Sequence, residues 1–152
     1  RRQRQMCIRD RVRTYRGVRY YNDSIASSPS RTIAGLRSFP EKVILIAGGY
    51  DKHIPFDVLG PEVTAHVKLL VLCGATAGKI RAAVEAAPDY RPGRPEILEV
   101  TPFQAAVEAA RDHAAAGDVV TLSPACAAFD QFKNFAERGR VFKEIVCSWP
   151  EE

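Results

Sequence analysis

Apolar positions along the chain change period in a regular way, from alternation every second residue, to unbroken runs, to helical stripes. Val12-Arg-Thr-Tyr15 and Val18-Arg-Tyr-Tyr21 alternate on either side of Arg16-Gly17 and predict a β-hairpin. Val43 to Ala47 is an unbroken apolar run that ends in Gly48-Gly49, and Leu69 to Cys73 is another that ends in Gly74. Both predict strands covered on two faces. Ile97 to Val100 and Val119 to Leu122 supply two more strands.

Helical stripes fill the intervals. Ser28 stands where a cap belongs, Pro29 suits the first helical position, and Ile33 and Leu36 share a face. Ile80, Ala83, Val84 and Ala87 form a second stripe, and Phe103, Val107, Ala110 and Ala114 a third. For the third helix, Thr101 as cap, Pro102 as first residue and Gln104 predict a capping box. Phe142, Ile145 and Val146 predict a closing helix, and Pro88 to Pro95 a loop. Strands alternating with helices imply right-handed crossovers. The fold class expected is α/β and Rossmann-like, a mostly parallel sheet with helices on both faces and an antiparallel hairpin at one edge.

A chain of 152 residues has room for one such domain. Its net charge of +4 would suggest a polyanion partner if it were spread over a folded face. Residues 1 to 11 account for it, with five Arg against Asp10, while residues 12 to 152 carry 17 basic and 17 acidic side chains. The pI near 9.0 therefore describes one end of the chain. Residues 1 to 11 have no apolar periodicity and are expected to be a non-native or disordered basic tail, with residues 12 to 148 the domain and 149 to 152 a short tail. No partner among nucleic acids or membranes is expected. With no apolar run of about 20 residues, a cytoplasmic protein is expected.

Cys7, Cys73, Cys126 and Cys147 are widely separated and His53, His66 and His113 share no ligand spacing, which predicts neither a zinc site nor a disulfide framework. Cys126 reads as a small buried residue in a tight turn, with a nucleophile as the alternative. Gly74-Ala-Thr-Ala-Gly-Lys79 has one residue too few between its glycines for a phosphate loop, and Ile80 stands where Ser or Thr is needed. Gly74 then reads as a strand exit and Lys79 as a surface residue.

Ligands of open parallel sheets bind outside the carboxyl ends of the strands. Four polar or small turns fall there: Asn22-Asp23-Ser24, Gly48-Gly49-Tyr50-Asp51-Lys52, Gly74-Ala75-Thr76 and Ser123-Pro124. Lys52 is a point ammonium after a Gly-Gly turn, able to reach a carboxylate or to pair with Asp51 or Asp57. Asp23 suits a ribose or a helix cap. Ser27, Ser28 and the helix opened by Pro29 form a candidate anion site. Phe129 and Phe132 read as core, and Phe135 as core or as the border of a ligand pocket.

Leu122-Ser-Pro-Ala-Cys-Ala-Ala-Phe-Asp-Gln-Phe-Lys-Asn-Phe135 with Glu137-Arg138-Gly139, together with the Asn-Asp-Ser and Gly-Gly-Tyr-Asp-Lys turns, occurs in an order and spacing that resembles the last domain of the Mur ligase family. The resemblance covers Val12 to about Val146. Within that family it points to the branch that adds D-glutamate to UDP-N-acetylmuramoyl-L-alanine in peptidoglycan synthesis. The resemblance implies a cytoplasmic, ATP-dependent ligase whose missing central domain holds ATP and Mg and forms an acyl phosphate. This fragment alone would be inactive, its partners being D-glutamate, UDP-N-acetylmuramoyl-L-alanine and the missing amino-terminal and central domains.

It also implies that Lys52 binds a carboxylate of glutamate, Ser27 contacts the same amino acid, Phe135 lines its pocket and Asp23 contacts the ATP ribose. Ile25 and Ala128 replace a Lys and a Ser that some members carry near the amino acid. The basic tail stands where the family has a His-Arg pair that approaches the ATP phosphates. A free-standing module that binds an acidic amino acid or a nucleotide is the alternative reading, and a nucleic-acid protein with a basic arm a third.

Overall fold

The computed structural model describes residues 10–24, 28–39, 41–49, 56–92, 96–126 and 134–150. Six strands form one sheet in the order β1-β2-β6-β3-β4-β5. They are β1 (Asp10–Tyr15), β2 (Val18–Asn22), β3 (Val43–Ala47), β4 (Val67–Leu72), β5 (Glu96–Glu99) and β6 (Val119–Leu122). The β1–β2 pair is antiparallel and every other pairing is parallel. Among the described residues five helices flank the sheet: α1 (Pro29–Arg37), α2 (Leu59–His66), α3 (Ala77–Glu85), α4 (Phe103–Asp112) and α5 (Phe135–Ser148). The α/β architecture with an edge hairpin is thus the one expected.

Alternation sorts each central strand between two cores. In β3, all five residues are buried. Val43, Leu45 and Ala47 pack with Leu36, Leu59, Val63, Ile80 and Val84 of α1, α2 and α3. Ile44 and Ile46 point the other way, against Phe103, Val107, Phe142 and Val146 of α4 and α5. An apolar side chain at every position is what a strand covered on both faces requires, since burying each contributes about 1.5–3 kcal/mol.

Local boundaries differ from the sequence pattern in places that have clear causes. Pairing of Asp10 with Asn22 starts β1 two residues earlier than the alternation does. At β4 the strand begins at Val67, because the polar interruption at Lys68 is an exposed residue whose ammonium reaches Asp118 at 2.8 Å. Helix α2, over Leu-Gly-Pro-Glu-Val-Thr-Ala-His, was not foreseen: Gly60 and Pro61 in its first turn and a short apolar stripe mask its period.

Two caps fall short of the pattern. Ser28 is the N-cap of α1 and Pro29 its first residue, yet the Ser28 hydroxyl lies beside Ser30 Oγ instead of bonding the helix. The capping box at α4 does not form. Pro102, in extended backbone, occupies the cap position itself, so Thr101 lies outside the helix and Gln104 donates to Glu108 at 3.2 Å.

Candidate functional site

The carboxyl ends of β2, β6, β3 and β4 lie side by side, with Asn22 opposite Leu122, Leu122 opposite Ile46, and Ala47 opposite Leu72. Chain order makes one interval special. From β3 the chain moves outward through β4 to β5, then returns to place β6 on the other side of β3. Helix α2 leaves β3 toward one face and α5 follows β6 on the other. The crevice between β3 and β6 is therefore the switch point of the sheet, where ligands of this architecture bind.

Hydrogen bonds continue past the strands and hold the turns together. Asp23 N–H donates to Leu122 O at 2.8 Å, Ser123 N–H to Ile46 O at 3.2 Å, Gly48 N–H to Pro124 O at 2.9 Å and Cys73 N–H to Ala47 O at 3.0 Å. Gly48 has a φ of +111°, and a Cβ there would lie 2.0 Å from Cys73 O. Only glycine fits that exit from β3.

Asp23 is 3% exposed and its carboxylate is held inside the rim. Ser123 Oγ lies 3.0 Å from Asp23 Oδ2 and 3.2 Å from Thr32 Oγ1, while the Thr32 hydroxyl donates to Ser123 O at 3.1 Å. The single Ser123 proton goes to the carboxylate, the stronger acceptor. Room for that carboxylate comes from Gly35 on α1, where a Cβ would stand 2.7 Å from Asp23 Oδ2.

Arg138 joins the β2 turn to the β6 turn. Buried at 2% exposure, it donates from Nε to Ser24 Oγ at 2.9 Å, from Nη2 to Ser24 O at 2.7 Å and from Nη1 to Cys126 O at 2.9 Å. Ser24 Oγ in turn donates to Phe135 O at 2.7 Å. Phe135, 45% exposed, opens α5, whose start is fixed by Asn134 Oδ1 accepting the Glu137 N–H at 2.9 Å. Asp23 and Phe135, two of the predicted site residues, thus come to one rim through Ser24.

Lys52 and Ser27, the other two, lie outside the described residues, as do Ile25, His53, Ala128, Phe129 and Phe132. Cys126 is buried in the tight turn as read, with its Sγ 3.2 Å from Thr76 Oγ1. His66 pairs with Glu62 at 3.6 Å and His113 is exposed beside Ala109 O. Gly74 is the β4 exit, at a φ of +99°, and Lys79 is exposed. Among the described residues no group of three or more His, Cys, Asp and Glu is arranged to hold a metal, and no helix is long and apolar enough to cross a membrane.

Sequence reasoning named Arg138 within a motif and Thr76 within a turn but assigned neither a tethering role. A signal existed for the first: Arg138 stands four residues before Phe142 on the stripe that continues to Ile145 and Trp149, so its side chain had to point inward. For Thr76 none existed, because its partners are 27 and 50 residues away.

Comparison with known proteins gives a consistent picture. Residues 9–126 match the family described as Mur ligase, glutamate ligase domain. A UDP-N-acetylmuramoylalanine–D-glutamate ligase of Clostridium botulinum (strain Okra / Type B1) is 54% identical over 137 residues, 90% of this chain and 30% of that protein. The same enzyme of Acetivibrio thermocellus is 57% identical over 140 residues, again 90% and 30%. The chain thus spans about 30% of the length of these curated relatives. Among solved structures, a murein peptide ligase from Psychrobacter arcticus 273-4 superposes with a TM-score of 0.57 at 14% identity, covering 88% of this chain and 29% of that one. That likeness concerns the fold.

Proposed function

The chain belongs to the Mur ligase, glutamate ligase domain family, and from that premise we propose that it is the D-glutamate-binding domain of an ATP-dependent ligase. The reaction is addition of D-glutamate to UDP-N-acetylmuramoyl-L-alanine, a step of peptidoglycan synthesis in the cytoplasm. One observation carries the reading: the four turns foreseen in the sequence converge on a single rim, at the switch point between β3 and β6, and are bonded to one another there. Relatives more than 50% identical over 90% of the chain, named for that reaction, support the choice of amino acid.

In this reading the β3 turn leads to Lys52, whose ammonium meets a carboxylate of glutamate. Ser27 offers a hydroxyl to the same amino acid, and the exposed ring of Phe135 forms an apolar wall. Glutamate is held so that its amine attacks an acyl phosphate of the muramoyl-alanine carboxylate. The amide bond forms, phosphate departs, and the amine loses its protons to solvent or to a base of the companion domains. ATP and Mg belong to those domains, where ATP supplies the phosphoryl group. Asp23 supports the nucleotide side of the rim, its carboxylate reaching the ribose once the turn opens as the domains close.

The test uses the full-length ligase that contains this domain. Lys52→Ala is expected to raise the KM for D-glutamate roughly 30-fold, the loss of a charge-assisted contact of about 2 kcal/mol, with the KM for ATP little changed. An unchanged KM for D-glutamate would remove Lys52 from the site. The isolated 152-residue chain is expected to release no phosphate from ATP, because closure of companion domains is needed to exclude water from the acyl phosphate. Phosphate release dependent on D-glutamate and the muramoyl-alanine nucleotide from this chain alone would refute the assignment of chemistry to the other domains.

A further inference from the structure

At the end of the sheet away from the rim, the β1–β2 turn and the last turn of α4 border a second cavity. Its volume is about 220 Å³ and its lining includes Tyr15, Arg16, Val18, Tyr20, Arg111 and Asp112. The length of β2 from Val18 to Asn22, about 13 Å, separates it from the rim. Gly117 N–H donates to Gly17 O at 2.9 Å and fastens the hairpin turn to the loop before β6. Two buried donors here are unspent. Tyr20 is fully buried and its hydroxyl has no hydrogen-bond partner among the described residues, and Trp149 Nε1, in a ring 5.2 Å from that of Tyr20, has none either. A buried polar group left in that state costs about 1–3 kcal/mol until something satisfies it.

Charge around the cavity selects the kind of ligand. Arg111 commits Nε and Nη2 to Asp112 Oδ1, both at 3.0 Å, and sets its Cζ 4.9 Å over the Trp149 ring, so Nη1 is uncommitted among the described residues. Arg16 is exposed, with its Cζ 5.1 Å over the Tyr15 ring, and makes no hydrogen bond or ion pair among the described residues. Arg13 spends its Nη1 on the carbonyls of Val146 and Trp149. Beyond burial itself, the charge that acts most on the Tyr20 hydroxyl is that of Arg111, which sets the hydroxyl on the cavity side of its ring. We propose that this cavity binds a small oxyanion, a phosphate or a carboxylate, through Arg111 and Arg16 with the Tyr20 hydroxyl as its buried donor. An oxyanion has lone pairs for every one of these donors, whereas a cation would meet two guanidiniums. The hydroxyl is covered, and Arg16, the lining side chain free to turn, opens the way to it. None of these residues belongs to the rim, so the site stands apart from the glutamate reading.

Titration of the isotope-labelled 152-residue chain, followed at the single indole N–H resonance of Trp149, tests this at fixed ionic strength. Sodium phosphate and sodium malonate are added in separate arms, with sodium chloride as the control. A saturable shift with a Kd on the order of 1 mM is expected. Saturation by phosphate alone assigns a tetrahedral anion, by malonate alone a carboxylate, and by both the chemistry they share. Tyr20→Phe is expected to weaken binding about fivefold, Arg16→Gln about threefold and Arg111→Gln about tenfold or more. Tyr20→Phe keeps the buried ring, so its loss reads the hydroxyl and not the fold. No saturation by either anion up to about 20 mM, the same shift with chloride, or parental affinity in both Tyr20→Phe and Arg111→Gln would overturn the proposal.

Discussion

Arg138→Met isolates the contribution of a buried cation to the architecture of the rim. Methionine retains much of the apolar stem and removes the guanidinium. The carbonyls of Ser24 and Cys126 then lose donors at 2.7 and 2.9 Å, and Ser24 Oγ loses one at 2.9 Å. Each charge-assisted bond is worth about 1.5–3 kcal/mol, but relief of the desolvation of a 2%-exposed guanidinium offsets part of the sum. A net loss of about 3–5 kcal/mol remains, the usual result of stripping one side from a buried charged network.

Urea unfolding followed by the fluorescence of Trp149 measures it. Trp149 is the only tryptophan and is 6% exposed, with its ring 5.2 Å from those of Tyr15 and Tyr20, so its emission reports the core beneath α5. At a slope of about 2 kcal/mol per molar urea, the midpoint should fall by roughly 1.5–2.5 M. Arg138→Lys should lose less, since an ammonium can reach one of the three acceptors but cannot span them all. A loss under about 1 kcal/mol for Arg138→Met would refute the claim that these bonds hold the two turns together.

Two further substitutions test the backbone and the hydroxyl beneath α4. Gly48→Ala forces a side chain into a φ of +111° and against Cys73 O, so it should cost about 3 kcal/mol or more and lower the melting temperature, whereas a neutral effect would contradict the geometry of the β3 exit. Burial pushes the Tyr20 hydroxyl up to about 12, and that hydroxyl is fully enclosed without a hydrogen-bond partner among the described residues. Because the folded value lies above the unfolded one near 10, stability is intact below about pH 10 and declines toward pH 12, by on the order of 2 kcal/mol. Tyr20→Phe should be as stable as the parent at neutral pH and should lose less above pH 10 in denaturant titrations; an identical alkaline decline in both would show that Tyr20 is not the group responsible.

Much of this was legible in the chain itself. Runs such as Val43 to Ala47 and Leu69 to Cys73 read as strands buried on both faces, because no polar position is left for solvent. Period and turn chemistry likewise determined that four polar turns would fall at strand exits, and the unusual string from Leu122 to Phe135 with its companions identified the family. These are local properties: each depends on neighbours within a few residues. The short helix Leu59–His66 escaped notice for the same reason, since its stability comes from packing Leu59 and Val63 under the sheet and little from its own residues.

Tertiary structure alone decided which turns touch. Nothing in the local pattern places β6 between β2 and β3, yet that insertion creates the crevice, and sets Pro124 against Gly48 and Cys126 beside Thr76. Equally, the local pattern left Asp23 as a cap or a ligand contact, and only the fold shows that Ser123 and Gly35 enclose its carboxylate. The physical reason is that hydrophobic periodicity specifies which face of an element is buried and is silent about its neighbour, whereas a buried polar group must find a partner wherever the chain happens to bring one.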